Sequence, residues 1–166
     1  MQKPTLSMES NSSNFNTVLV TGSAGQLGNE IRLASSKLTN SKFIFTDIAE
    51  LDITNQQSVK LFFSTKKPDI IVNCAAYTAV DKAEEEVEKA NLLNSVAPQI
   101  LAQEAKVIGA KLIHVSTDYV FDGKTYVPYN EETETSPNSI YGKSKLEGEK
   151  AVIDSKIGMV IRTSWL

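Results

Sequence analysis

The sequence is short of the residues that most often announce a site. Its single cysteine, Cys74, cannot form an internal disulfide, so nothing argues for an oxidising, secreted setting. Its single histidine, His114, excludes a His-based triad and any histidine cluster around a metal. No apolar run approaches the ~20 residues of a membrane span. The formal charge of −3 comes without the clustered Lys and Arg that bind nucleic acid or an anionic membrane. The leader Met1–Asn14 is rich in Ser and Asn and lacks the apolar segment of a signal peptide, so it reads as a disordered tail. These absences leave the cytoplasm as the default. At 166 residues, 41% hydrophobic and 22% charged, the rest of the chain (15–166) suits one globular α/β domain.

What the sequence does contain is concentrated in a few stretches. Val18–Thr21 runs into Gly22-Ser-Ala-Gly25-Gln-Leu-Gly28, and an amphipathic helix follows over about Gln26–Ser36, with Leu27, Ile31 and Ala34 on one face. Strand, tight turn and helix N-terminus in that order make an anion site. The glycines admit a pyrophosphate close to the backbone, and the helix's free N–H groups and dipole face it. The G-x-x-G-x-x-G spacing is that of short-chain dehydrogenases and reductases, although a plain turn before a helix carries the same glycines. Lys42–Asp47 reads as a second strand. Asp47, about twenty residues past the loop, can accept from the adenosine ribose hydroxyls; no Arg adjoins it in the chain, which favours NAD over NADP.

Thr54 is the expected cap of a helix over about Asn55–Lys66, which Lys67-Pro68 stops. Asp69–Asn73 is a strand apolar enough for burial on both faces, and Cys74 after it is a small filler. The acids of Asp81–Glu88 complement the dipole of a helix start and form no metal site. That helix runs on to about Ile108, kinked at Pro98, and ends at Gly109. Lys111–Ser116 is a strand with His114 as a packing residue. A polar loop, Lys124–Asn138, precedes a helix over about Ile140–Ser155, and Ile157–Thr163 is the last strand. The expected fold is a doubly wound, all-parallel Rossmann sheet in the order 3-2-1-4-5. With the chain stopping at Leu166 just past a strand, the expectation is an incomplete domain whose C-terminal substrate lobe is missing.

The chemistry is carried by Tyr141-Gly-Lys-Ser-Lys145, which sets a phenol and an amine one turn apart on one helix face. An ammonium beside a phenol stabilises the phenolate; bringing a tyrosine from ~10 to about 7 corresponds to roughly 4 kcal/mol. In carbonyl reduction the phenol would protonate the oxygen as hydride reaches the carbon. Ser116 and Thr117, where a strand ends, could hold that oxygen. An exposed helix face is the bland alternative for Tyr-x-x-x-Lys, but the glycine loop, hydroxyl pair and Tyr/Lys pair stand together in the chain order such a site requires.

Six blocks, from Thr21-Gly-Ser-Ala-Gly-Gln-Leu-Gly28 through Leu51-Asp-Ile-Thr54, Ile71–Glu84, Ser116–Gly123 and Tyr141–Glu149 to Arg162-Thr-Ser-Trp-Leu166, resemble the dTDP-4-dehydrorhamnose reductases in sequence and order. These are extended short-chain dehydrogenases/reductases that make dTDP-L-rhamnose, and the resemblance covers nearly everything from Asn16 onward. It implies NADH or NADPH as cofactor and a dTDP-linked keto-deoxy sugar as substrate, and it leaves a homodimer open. Gly22, Gly25, Gln26, Leu27 and Gly28 would hold the pyrophosphate. Asp47 would meet the adenosine ribose, and Asp52 and Ile53 the adenine. Ala75, Ala76 and Thr78 would line the way to the nicotinamide. Thr117, Tyr141 and Lys145 would be the catalytic trio, with Lys145 also on the nicotinamide ribose. Asn94 matches a helix Asn that supports the lysine through water in many relatives. Asp118 and Tyr119 would border the sugar. Two other readings share this pattern: a non-catalytic relative similar to the regulatory subunit of methionine adenosyltransferase, and a nucleotide-sugar epimerase or dehydratase.

Overall fold

The computed structural model describes residues 16–164; the expected leader and the last two residues lie outside them. Five parallel strands, β1 (Asn16–Thr21), β2 (Ser41–Thr46), β3 (Ile70–Asn73), β4 (Lys111–Thr117) and β5 (Gly158–Thr163), form one sheet in the order β2-β1-β3-β4-β5. The helices are α1 (Gln26–Ser35), α2 (Gln56–Lys66), α3 (Val87–Asn91), α4 (Ala97–Ile108) and α5 (Ile140–Asp154).

The doubly wound parallel sheet is as the alternating pattern predicts, but the strand order 3-2-1-4-5 is not. β3 pairs with β1 on one side and β4 on the other. β3 is Ile-Ile-Val-Asn, with Ile71 fully buried, whereas β2 carries Lys42 and is mostly half-exposed. Placing the apolar strand beyond β2 would have left it at an edge. The central slot covers it, and β2, the strand that tolerates water, takes the edge.

Side chains alternate across each strand, so the sheet sorts into two faces. Leu19, Ile71 and Leu112 point to one face and meet Val59 and Phe63 of α2, Leu101 and Ala105 of α4 and Val152 of α5 in a single core. On the opposite face α1 rests on β2. There Val72, Ile113 and Val115 stay half-buried, and Met159 and Ile161 are exposed. The expected apolar face of α1 is accordingly shallow: Leu27 and Ile31 are half-buried and Ala34 is exposed.

Two local expectations are corrected by hydrogen bonding. Thr54 does not cap α2, because its hydroxyl donates to Asp52 Oδ1 at 2.6 Å. Asn55 takes the role in extended backbone, accepting from Ser58 N–H at 3.0 Å. Nor is there one helix from Asp81 to Ile108. A 3₁₀ turn (Asp81–Glu84) precedes α3, and a π-helical stretch (Leu92–Val96) joins α3 to α4. Pro98 lacks the N–H that would bond the Asn94 carbonyl, and the wider π turn absorbs the mismatch just before it. The Asn94 carbonyl faces α5 instead: a Cβ on Gly148 would lie 2.1 Å from it. Only glycine lets these two helices approach so closely.

Candidate active site

The chain leaves β1 toward β2 on one side and β3 toward β4 on the other, so the C-terminal ends of β1 and β3 flank a topological switch point, where open α/β sheets bind ligands. A cleft of about 650 Å³ opens there. Its lining includes Gly22, Gly25, Gln26, Leu27 and Gly28; Asp47, Asp52 and Ile53; Ala75, Ala76 and Thr78; and Ser116, Thr117, Tyr141 and Lys145. Residues from five widely separated stretches thus share one wall. Asp118 instead lines a second cleft, with Phe121, Tyr129, Arg162 and Thr163, the last of which also reaches the first. Tyr119 stands edge-on to the Tyr141 ring, centroids 5.5 Å apart.

The glycine loop is built around Gly22. Its φ of +65° is left-handed, and a Cβ there would lie 2.6 Å from the backbone of Ala75, so any other residue would drive the β1 and β3 loops apart. Gly25 caps α1 without a side-chain hydrogen bond, and the first turn carries no acid, which leaves the helix N-terminus open toward the cleft. The loop is tied to the end of β2 by Ser23 N–H on the Thr46 carbonyl (3.0 Å) and Ala24 N–H on Asp47 Oδ2 (3.1 Å).

That corner also holds a residue the sequence reading missed. Arg32, on the third turn of α1, lies 4.1 Å over the Phe45 ring and donates to Ser23 Oγ at 3.1 Å. No Arg adjoins Asp47 in sequence, yet folding brings a guanidinium onto the strand that ends in it. The signal was an Arg four residues beyond Gly28, visible only once α1 is laid over β2.

A polar row crosses the sheet beneath the cleft. Thr21, Asn73 and His114 are register partners on β1, β3 and β4. Asn73 Oδ1 accepts from Thr21 Oγ1 (2.7 Å) and from Ala75 N–H (3.2 Å). Its amide nitrogen therefore donates to His114 Nδ1 (3.0 Å), which puts the imidazole proton on Nε2. His114 is fully buried, as a packing residue should be, and burial with the nearby Lys145 charge pulls its pKa down to about 3.

Around the trio, Ser139 caps α5 by accepting from Gly142 N–H at 3.0 Å, and this sets Tyr141 in the first turn. Tyr141 shares the cleft wall with Thr117, whose hydroxyl donates to Asp118 Oδ1 at 3.2 Å. The Tyr141 pKa is not lowered as the Tyr/Lys spacing led one to expect. Burial raises it, Asp118 adds to the rise, and Thr117 only partly offsets them. The Lys145 amine donates to the Val115 carbonyl at 2.7 Å, and burial pulls its pKa down to about 8 against the upward pull of Glu149. Ser116 Oγ, in the cleft wall, is buried with no hydrogen-bond partner among the described residues. Asn94 is fully buried; its oxygen accepts from Tyr77 N–H, and its amide donates to the Tyr77 carbonyl and Ser144 Oγ. Its side chain thus fixes Ser144, the neighbour of Lys145. Cys74 is half-buried with its thiol pushed up to about 11, so it is no nucleophile. Among the described residues no group of acids, His and Cys could hold a metal, and no helix is long and apolar enough to cross a membrane.

A parallel doubly wound sheet with a glycine loop at the switch point and a Thr-Tyr-Lys cluster facing it defines a Rossmann-type domain of the dinucleotide-binding class. The model of one family, the RmlD substrate binding domain, matches residues 16–166, and the chain belongs to that family. Among curated relatives, the spore coat polysaccharide biosynthesis protein SpsK of Bacillus subtilis is 43% identical over 150 residues, 90% of this chain and 53% of its own length. A solved dTDP-4-dehydrorhamnose reductase from Clostridium acetobutylicum superposes with a TM-score of 0.87 at 46% identity, covering 90% of this chain and 53% of that one. The reductase of Bacillus anthracis, solved in complex with NADP, gives 0.87 at 37%, covering 91% and 54%. The chain spans about half the length of the curated relatives it matches.

Proposed function

We propose that this chain is the cofactor-binding part of an NAD(P)H-dependent reductase. The reaction is reduction of the C4 keto group of dTDP-4-dehydro-6-deoxy-L-mannose to dTDP-L-rhamnose, a precursor of cell-surface polysaccharide, in the cytoplasm. The observation that carries this reading is the convergence of the glycine loop, Asp47 and the Thr117/Tyr141/Lys145 cluster on one cleft. The wall suits a dinucleotide: among the described residues, a helix N-terminus that no side chain caps, glycines that keep the loop clear, and a Ser116 hydroxyl with no partner.

The bound reduced nicotinamide supplies the hydride. Gly22–Gly28 would hold the pyrophosphate, Asp47 the adenosine ribose, Asp52 and Ile53 the adenine, and Ala75, Ala76 and Thr78 the nicotinamide side. Tyr141 Oη gives its proton to the keto oxygen, and its raised pKa keeps it protonated until then, as a general acid requires. Thr117, in the same wall as the phenol, would position that oxygen, and Lys145 would fix the nicotinamide ribose. Asp118 and Tyr119 would meet the sugar. The bare sheet face bearing Met159 and Ile161 fits a reading in which further chain, as in the longer relatives, completes the sugar pocket.

Titrating the 166-residue chain with NADPH and NADH tests the first half of this reading. Saturable binding is expected, and it should be lost in Gly25→Val, whose side chain enters the cleft. In the full-length protein Tyr141→Phe should abolish reduction and leave cofactor affinity unchanged. Retained turnover there would remove the assignment.

A further inference from the structure

Lys145 is 2% exposed, and among the described residues its one hydrogen-bond partner is the Val115 carbonyl. An ammonium carries three donors and gives up its hydration on burial, so one carbonyl is thin support. One turn further along α5, on the same face, stands Glu149, 0% exposed. Its carboxylate faces Arg162 of β5 through three hydrogen bonds: Nε to Oε1 at 3.0 Å, Nε to Oε2 at 3.1 Å and Nη2 to Oε2 at 2.7 Å. The guanidinium lies 5.1 Å over the Phe121 ring, which stacks on Tyr129. A buried carboxylate paired with an arginine that stays charged at any working pH therefore stands one helical turn from a buried lysine that can lose its proton.

We propose that Glu149 and Arg162 are positioning residues for Lys145: the buried carboxylate keeps the amine charged at the base of the cleft, and the guanidinium anchors that carboxylate and tempers its pull. The remaining groups around the amine cannot do this. His114 of β4 is neutral above pH 5, Cys74 after β3 is a protonated thiol, and Tyr141 on α5 is a protonated phenol. Asp118, beyond β4, acts on Tyr141. The inference rests on the functional reading only in giving the lysine's charge a purpose, which is to hold the nicotinamide ribose.

The arrangement separates this role from simple structural bracing, because removing either partner of a brace should act in the same direction. Here the directions oppose. Glu149→Gln removes the opposite charge and should lower the Lys145 titration midpoint by about one to two pH units. Arg162→Gln removes a like charge and leaves the carboxylate to the lysine, so the midpoint should rise. The midpoint is read from the side-chain carbon resonance of Lys145 in ¹³C-lysine-labelled protein, assigned with Lys145→Arg and needing no cofactor. If Glu149→Gln does not fold, the double variant Glu149→Gln/Arg162→Gln keeps an uncharged amide pair. Its midpoint should lie below that of Arg162→Gln alone. Opposite shifts support the proposal. An unmoved midpoint in folded Glu149→Gln, shifts of the same sign in the two single variants, or equal midpoints in the double and Arg162→Gln variants would overturn it. The alkaline limb of NADPH binding should follow the midpoint; failure of wild-type binding with the shifts intact would count against the cofactor reading alone.

Discussion

Acidification through the range where an ordinary histidine gains a proton should leave His114 neutral and cost the fold stability instead. The imidazole is fully buried between α5 and the sheet, with Nδ1 accepting from Asn73 and, among the described residues, no partner at Nε2. A second charge beside Lys145 has neither solvent nor counter-ion. The folded pKa of about 3 therefore lies below the ~6.5 of an unfolded chain. Because the folded value is depressed, the stabilisation is fully present above pH 6.5. It falls as the unfolded state binds its proton, by up to ~1.4 kcal/mol per pH unit, until both states are protonated near pH 3. Between pH 6.5 and 5 the loss should be about 1.5–2 kcal/mol, a sizeable part of the roughly 5–15 kcal/mol of a typical domain. The window stops at pH 5 so that carboxylates add little. Urea unfolding at pH 7, 6 and 5 measures the slope. His114→Gln, whose amide oxygen can accept from Asn73, should flatten it, whatever its own stability. The sole histidine makes the imidazole resonance unambiguous, and it should not titrate in the folded protein above pH 5. A resonance titrating near 6.5 in folded protein, or an unchanged slope in His114→Gln, would refute the reasoning.

Two further outcomes are expected. Gly148→Ala gains about 1 kcal/mol of helix propensity, but its methyl would meet the Asn94 carbonyl at 2.1 Å, so a net loss of about 2 kcal/mol should appear as a lower Tm. Arg32→Gln should weaken NADPH and 2′,5′-ADP by about tenfold while leaving NADH within twofold, because only the 2′-phosphate adds charge for the guanidinium. An equal loss for NADH would make Arg32 a brace for the Ser23 loop and nothing more.

Much of the site was legible before folding because each of its parts is a local motif. The glycine beat, an acid at the end of the second strand, a hydroxyl after the fourth, and Tyr and Lys one turn apart all depend on short-range geometry, and all but the sugar-bordering residues converge on one cleft. The helices and strands agree with the sequence to within a few residues, because turn residues and apolar periods are local too. The long helix over Asp81–Ile108 failed because its residues favour helix along the whole stretch, while the close approach of Asn94 to Gly148, a contact between distant segments, falls where the turns widen.

By itself the sequence determined the parallel α/β class, the elements and the candidate site residues, since propensity, periodicity and side-chain chemistry belong to residues and their near neighbours. Only the tertiary structure decided that β3 lies between β1 and β4, that Arg32 stands over the strand ending in Asp47, and that Arg162 pairs with Glu149. Those are contacts between distant segments. Burial decides them: the most apolar strand took the centre of the sheet, and charges removed from water had to find one another. Burial also reversed the expected direction of the Tyr141 pKa, because desolvation depends on what covers a side chain rather than on what stands next to it in the chain.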